Sequence, residues 1–541
     1  MTTGTDLCYL TATELAPLIR ERKVSPVEVV EARLTRIEEH NPLLLAYLHV
    51  DAEGARAAAR AAEIEIGAGI YRGPLHGIPV AYKDIYDVRG LPTTAASKVM
   101  AGYVATKDST AAARLRQAGA ICLGKLNTFE FASGSMETFG TARNPWNPGL
   151  TPGGSSSGSG AALAAGLVTI ATGSDTGGSI RMPASFCGVV GIKPTYGRVS
   201  RAGIVPLSWS LDHAGPMARR TADLAPALTA LAGPDHRDPT AAARPVPDLA
   251  SEIGRPIRGL RIGVPRAFFF EDADPEVIRT VEESLSLFAR DLGAEIREIE
   301  LPHAGFGPSA SWSIAYSESF AYHRDNFFAR PRDYTPPFLH KITAAACLTA
   351  EERVTAQRVR QVISAEFLAA LEQVDVIVTP TTGYPAHAVN GASRQTDMHS
   401  LTRPISLTGL PALALPCGFT ATGGLPASLQ IIAPAWQEGL LLRIGHAYEE
   451  AAGWHHRRPT LEATPLPTAP ASSRPSDSSP TEPAIDPAWV IAFARLTGLT
   501  YVTEADAKPI ATHLAPVKAQ LAAARARLDN RVEPSTRPVL G

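Results

Sequence analysis

Two clusters of glycine and serine stand close together in this chain of 541 residues: Gly153-Gly154-Ser155-Ser156-Ser157-Gly158-Ser159-Gly160 and Asp175-Thr176-Gly177-Gly178-Ser179. Glycine permits positive φ and lets backbone N–H groups approach a ligand closely. A run of such amides ending on a serine can hold a developing oxyanion beside its nucleophile, which is the chemistry of acyl transfer. Two flexible loops around a buried element are the plainer alternative, because Ala161 to Ala171 between the clusters is apolar. Phosphate binding is disfavoured, since neither a P-loop nor a strand–GxGxxG–helix unit is present.

A serine hydroxyl is a poor nucleophile until a neighbouring base takes its proton. No His–Asp pair sits in these motifs where a serine triad would need it. A lysine can serve if burial keeps it neutral. Lys83 follows the apolar Gly77-Ile78-Pro79-Val80-Ala81-Tyr82, which is compatible with burial, although a Lys83–Asp84 surface pair is the other reading.

The elements around these residues alternate between helix and strand. Thr11-Ala12-Thr13-Glu14 and Ser25-Pro26-Val27-Glu28 are capping boxes that start two helices, the second with proline in its first turn. An Ala-rich helix over 51–65 follows, then a strand over 77–82 that delivers Lys83, a helix over 109–118 and a strand over 120–123. Residues 126–150, rich in Asn, Ser, Gly and Pro, read as a loop placed to line a site. Further on, strands are expected over 260–264 and 374–378 and a helix over 275–290. The alternation predicts an α/β layered fold.

Residues 464–487 are rich in Pro and Ser and read as a linker. Beyond it, Asp486-Pro487 and Thr503-Glu504-Ala505-Asp506 start two helices. Ile510, Leu514, Val517, Leu521, Ala524 and Leu528 make one apolar stripe, with Pro516 expected to kink or interrupt it. So small a unit cannot bury that stripe alone and should dock on something. The expected division is 1–463, 464–487 and 488–541.

Apolar residues make up 45% and charged residues 19%, with a net charge of -2. That balance suits a soluble globular protein and gives no footprint for nucleic acid. There is no apolar run of the roughly 18 residues a membrane span needs, and MTTGTDLCYL lacks the pattern of a signal peptide. Cys8, Cys122, Cys187, Cys347 and Cys417 are scattered without zinc spacing, which points to buried thiols and a cytoplasmic location. No metal site and no cofactor are expected.

GGSSSGSG followed by SDTGGSIRMP, with Lys83 upstream, resembles the amidase signature family. The resemblance continues through Arg143-Asn144-Pro145-Trp146, Gly191-Ile192-Lys193-Pro194-Thr195, Leu211-Asp212-His213-Ala214-Gly215-Pro216-Met217 and Thr408-Gly409-Leu410-Pro411-Ala412. It implies a large mixed β-sheet with helices on both faces, plus a small helical C-terminal appendage. It also implies a Ser–cis-Ser–Lys triad: Ser179 as nucleophile, Ser155 as bridge and Lys83 as base. The backbone N–H groups of Thr176, Gly177, Gly178 and Ser179 would form the oxyanion hole, and Ser133 and Gly134 would belong to the substrate pocket. Asp175 and Arg181 would brace the loop. Without the family's spacing, Ser156 is an equal candidate for the bridge.

The implied activity is hydrolysis of a small amide, carbamate or urea-like bond, by a protein that can form a homodimer. The alternatives are a glutaminase subunit that passes ammonia to a tRNA-modifying partner, and a non-catalytic assembly protein. Residues 488–539 resemble the small C-type component of the tRNA-dependent amidotransferases, which bears on the first alternative. The chain departs from the family's usual pattern at Ile405-Ser406, where an aromatic–Asn pair is common, and at Ser428, where glycine is usual. Both departures are expected to reshape the pocket.

Overall fold

The computed structural model describes residues 4–389, 401–461, 485–529, 531–538 and 540. Most of the linker read over 464–487 therefore lies outside the described residues. The described strands are β1 (Tyr47–Val50), β2 (Pro79–Lys83), β3 (Ile121–Leu126), β4 (Ile170–Asp175), β5 (Val190–Lys193), β6 (His213–Ala218), β7 (Arg261–Pro265), β8 (Glu295–Ile299), β9 (Val376–Pro380), β10 (Ala412–Phe419) and β11 (Pro426–Ile432). They form one mixed sheet in the order β1-β3-β2-β4-β6-β5-β10-β11-β9-β7-β8. β3, β2 and β4 run parallel, as do β9, β7 and β8, while β4 through β9 are joined by antiparallel pairs.

Successive side chains on a strand point to opposite faces, so a sheet buried on both sides needs apolar residues at consecutive positions. β2 does this: Val80 and Tyr82 join one apolar core and Ala81 the other. β4 repeats the pattern, with Ile170 in the first core and Ala171 in the second. Helices Pro26–Leu44, Ala52–Gly67 and Ser157–Ala164 cover the second face, and helix Thr221–Leu231 packs on the first. Both N-terminal capping boxes form as expected.

Beyond the sheet, helices Gly307–Ala329, Pro336–Ala346 and Ala350–Gln373 make a helical flank. The C-terminal helices Pro487–Thr497 and Glu504–Arg527 dock on that flank rather than standing apart. Ile510, Leu514, Val517, Leu521 and Ala524 are all buried there. Polar ties reinforce the contact: Lys518 Nζ pairs with Glu352 at 2.5 Å, His340 Nε2 meets Asp506 at 3.1 Å, and Ser309 bonds Gln520. Helix Glu504–Arg527 is continuous through Pro516, contrary to the expected interruption. Proline inside a helix costs about 3 kcal/mol, and the buried stripe on the same helix offsets that loss.

No helix among the described residues is long and apolar enough to cross a membrane.

Candidate active site

Parallel β2 and β4 lie side by side, with Val80 opposite Ile170 and Ala81 opposite Ala171. Their carboxyl ends therefore open at the same edge of the sheet. β2 ends on Lys83, and β4 ends on Ser174 and Asp175 before running into the second Gly/Ser cluster. Helix Ser157–Ala164 brings the first cluster to the same edge, and the Gly154–Ser155 peptide there is cis.

Lys83 is fully buried. Its Nζ contacts Ser155 Oγ at 2.6 Å and Ser174 Oγ at 2.8 Å, and its backbone N–H donates to Thr172 Oγ1 at 3.0 Å. Burial pushes the Lys83 amine down to about 7, against the pull of the Asp212 and Asp175 carboxylates. A neutral amine can donate to Ser174 while its lone pair accepts the Ser155 proton. Thr172 and Ser174 reach the same lysine because alternate residues of a strand share a face. Sequence reasoning missed Ser174, although the period-two pattern of β4 held the signal.

The other serines of the first cluster are engaged elsewhere. Ser156 Oγ lies 3.3 Å from Ser174 N, Ser157 Oγ donates to Gly153 O at 2.7 Å, and Ser159 Oγ donates to Thr172 O at 2.8 Å. Ser155 and Ser179 both line a cavity of about 610 Å³. They are tied through the backbone, Ser156 N–H donating to Ser179 O at 3.2 Å, and no hydrogen bond joins the two hydroxyls among the described residues.

The loop that carries Ser179 is braced from behind by a buried ion pair. Arg181 Nε and Nη2 each donate to the Asp175 carboxylate at 2.9 Å. Burial alone would raise the Asp175 carboxyl, but Arg181 beside it holds it below the ordinary range. Arg181 also donates to Gln430 Oε1 at 2.8 Å, Ser406 Oγ at 2.8 Å and Thr402 O at 3.1 Å. Ser406 thus belongs to this brace, and Ser428 bonds Thr381 at 2.9 Å. Neither lines the cavity itself; Ser406 supports the loop and Ser428 the sheet.

Of the four backbone amides expected to form an oxyanion hole, that of Gly178 donates to Asp175 Oδ1 at 2.8 Å. Its φ of +134° and the nearby Thr402 Oγ1 leave no room for a Cβ. The N–H groups of Thr176, Gly177 and Ser179 have no protein partner among the described residues. Thr176 Oγ1 donates to Asp212 Oδ1 at 2.6 Å, which fixes the start of the loop.

Ser133 lines the cavity; its hydroxyl bonds Tyr316 and its carbonyl accepts from Lys341 Nζ at 2.8 Å. Gly134, beside it, donates its N–H to Glu130 O at 2.7 Å and packs near Phe338. The outer wall includes His513, Pro516 and Gln520 from the C-terminal helix. Lys341, Arg403 and Tyr316 also line the cavity, and no sequence motif had marked them. Among the described residues, no three His, Cys, Asp or Glu side chains converge as metal ligands.

The family model described as "Amidase" matches residues 28–442. The glutamyl-tRNA(Gln) amidotransferase A-type subunit of Roseiflexus sp. (strain RS-1) is 42% identical over 485 residues, covering 84% of this chain and 99% of that protein. A solved structure from work on a vestigial protein complex and the origins of an s-triazine catabolic enzyme superposes with a TM-score of 0.77 at 36% identity, over 82% of this chain and 98% of that one. The A-type subunit of the Thermotoga maritima glutamyl-tRNA(Gln) amidotransferase superposes with a TM-score of 0.74 at 32% identity, over 85% and 99%.

Proposed function

This chain belongs to the amidase family, and from that premise we propose that it hydrolyses a carboxamide or related C–N bond through an acyl-enzyme on Ser179. The observation that carries the reading is the buried Lys83 amine, 2.6 Å from Ser155 Oγ, beside a cavity onto which Ser179 opens. Neutral Lys83 accepts the Ser155 proton while Ser155 accepts that of Ser179. Ser179 Oγ then attacks the carbonyl carbon, and the N–H groups of Thr176, Gly177 and Ser179 receive the charge on its oxygen. The relay returns the proton to the leaving amine. Water, deprotonated by the same relay, releases the acid.

Two substrate readings follow. In the first the chain is a hydrolase of small amides, carbamates or urea-like compounds. In the second it is a glutaminase subunit that supplies ammonia to a tRNA-modifying partner. Similarity to the glutamyl-tRNA(Gln) amidotransferase proteins weighs toward the second. The C-terminal helices, docked on the chain's own flank, are the observation that favours the first.

A fluorophosphonate is expected to label Ser179, and Ser179→Ala to abolish turnover. Mass spectrometry that places the label on another serine would remove the assignment. Rates on a panel of amides, ureas and carbamates, compared with glutamine, separate the two substrate readings.

A further inference from the structure

Part of the cavity wall comes from outside the stretch that the family model matches. That stretch ends at residue 442, whereas Thr512, His513, Pro516, Val517 and Gln520 belong to helix Glu504–Arg527. Positions three and four apart share one face of a helix, so the face turned to the cavity carries them all. Ties from Asp506 to His340 and from Lys518 to Glu352 hold the helix there.

Three groups on that face have hydrogen-bonding capacity to spare. Pro516 has no N–H, so the Thr512 carbonyl lacks the donor that a helix supplies four residues on. The Thr512 hydroxyl, by contrast, is turned back onto Lys508 O at 2.9 Å. Gln520 Oε1 accepts from the Ser309 hydroxyl, which leaves its Nε2 amide without an acceptor among the described residues. His513 has no hydrogen bond to a described residue on either ring nitrogen. Burial, with Lys341 and His340 nearby, takes its ring down to about 4. Near neutral pH the ring is therefore uncharged, with one nitrogen donating and the other accepting.

A carbonyl that accepts, an amide that donates and a neutral ring that does both complement a group that is itself donor, acceptor and uncharged. A carboxylate only accepts, and would leave the Thr512 carbonyl without a proton. An alkyl chain would pair with none of the three groups. We propose that Thr512, His513 and Gln520 form a neutral subsite on the C-terminal helix, so that the substrate is an amide carrying a second amide or ureido group away from its scissile bond. The helical unit that reads as an appendage in the sequence then decides which amides are hydrolysed.

The proposal rests on Ser179 as the nucleophile of this cavity, and its test separates the two ideas. N-acetylglycinamide, 3-acetamidopropanamide and 4-acetamidobutanamide are each compared with the alkanamide of equal length, by release of ammonia. The best acetamido compound is expected to exceed its counterpart by at least about tenfold in kcat/KM, the scale of one or two net hydrogen bonds. Gln520→Leu and His513→Leu should each shrink that ratio through KM. Pro516→Ala gives the Thr512 carbonyl back its helical donor, so it should raise Tm and yet lower the ratio. A raised Tm with the ratio kept would take the Thr512 carbonyl out of the subsite. Equal rates within every pair, or a ratio that survives all three variants, would overturn the proposal.

Binding of the acetamido compounds to Ser179→Ala, measured by calorimetry, needs no turnover. Binding that Gln520→Leu abolishes supports the subsite even if the fluorophosphonate label falls on another serine. If the label is on Ser179 and these compounds bind no better than the alkanamides, the subsite alone has failed.

Discussion

In the proposed mechanism Lys83 must be neutral when the reaction begins, and its surroundings work toward that. With the amine at about 7, protonation below that pH removes the base. kcat/KM is expected to fall as pH drops through about 7, where an ordinary lysine would lose activity below its value of roughly 10.4. Lys83→Arg should be inactive, because a guanidinium stays charged. Lys83→Ala should lose a hundredfold or more, and its residual rate should lack the acidic limb. An active arginine variant with an unmoved profile would take Lys83 out of the mechanism. Ser174 is the positioning residue of this group. It accepts from Lys83 at 2.8 Å, a contact that favours the charged amine and orients its lone pair toward Ser155. Ser174→Ala should therefore slow turnover about tenfold or more and move the acidic limb to lower pH. A variant of Ser174 that folds poorly but keeps the limb in place would show a purely structural role.

The elements explain what could be read in advance. Strand β2 ends on Lys83 as its apolar run implied, and helix Pro275–Arg290 matches its expected range because proline and the N-cap Asp274 mark its start locally. The apolar run from Ala161 to Ala171 was legible as buried, but not as the end of a helix followed by the start of β4. A run buried on all sides carries no period that tells helix from strand. Arg403 and Lys341 were hidden for another reason: each is one cation in an unremarkable segment, and only the tertiary fold brings both to the cavity. The C-terminal helix was legible as amphipathic, whereas its place in the cavity wall was not. Leu514 is fully buried in its stripe. Leu514→Ala should cost about 2–5 kcal/mol, read as a lower Tm, and should raise KM because His513 and Gln520 lose their support. An unchanged KM at a lowered Tm would separate the wall from substrate binding.

At the scale of the whole molecule, the sheet is assembled from two stretches of chain. Strands β1 to β6 come from residues 47–218 and β7 to β11 from residues 261–432, and the two sets meet where β5 pairs with β10. The proposed chemistry needs only side chains and backbone amides from this one scaffold. EDTA is therefore expected to leave the rate unchanged, and inhibition reversed by zinc would refute the mechanism. The pairing of the two stretches also has a consequence for how the protein is made. A ribosome releases Lys83, Ser155 and Ser179 first, yet the partners that complete the Arg181 brace lie 221 to 249 residues further along, at Thr402, Ser406 and Gln430. A nascent chain thus carries every group of the proposed relay before the residues that complete the frame around them.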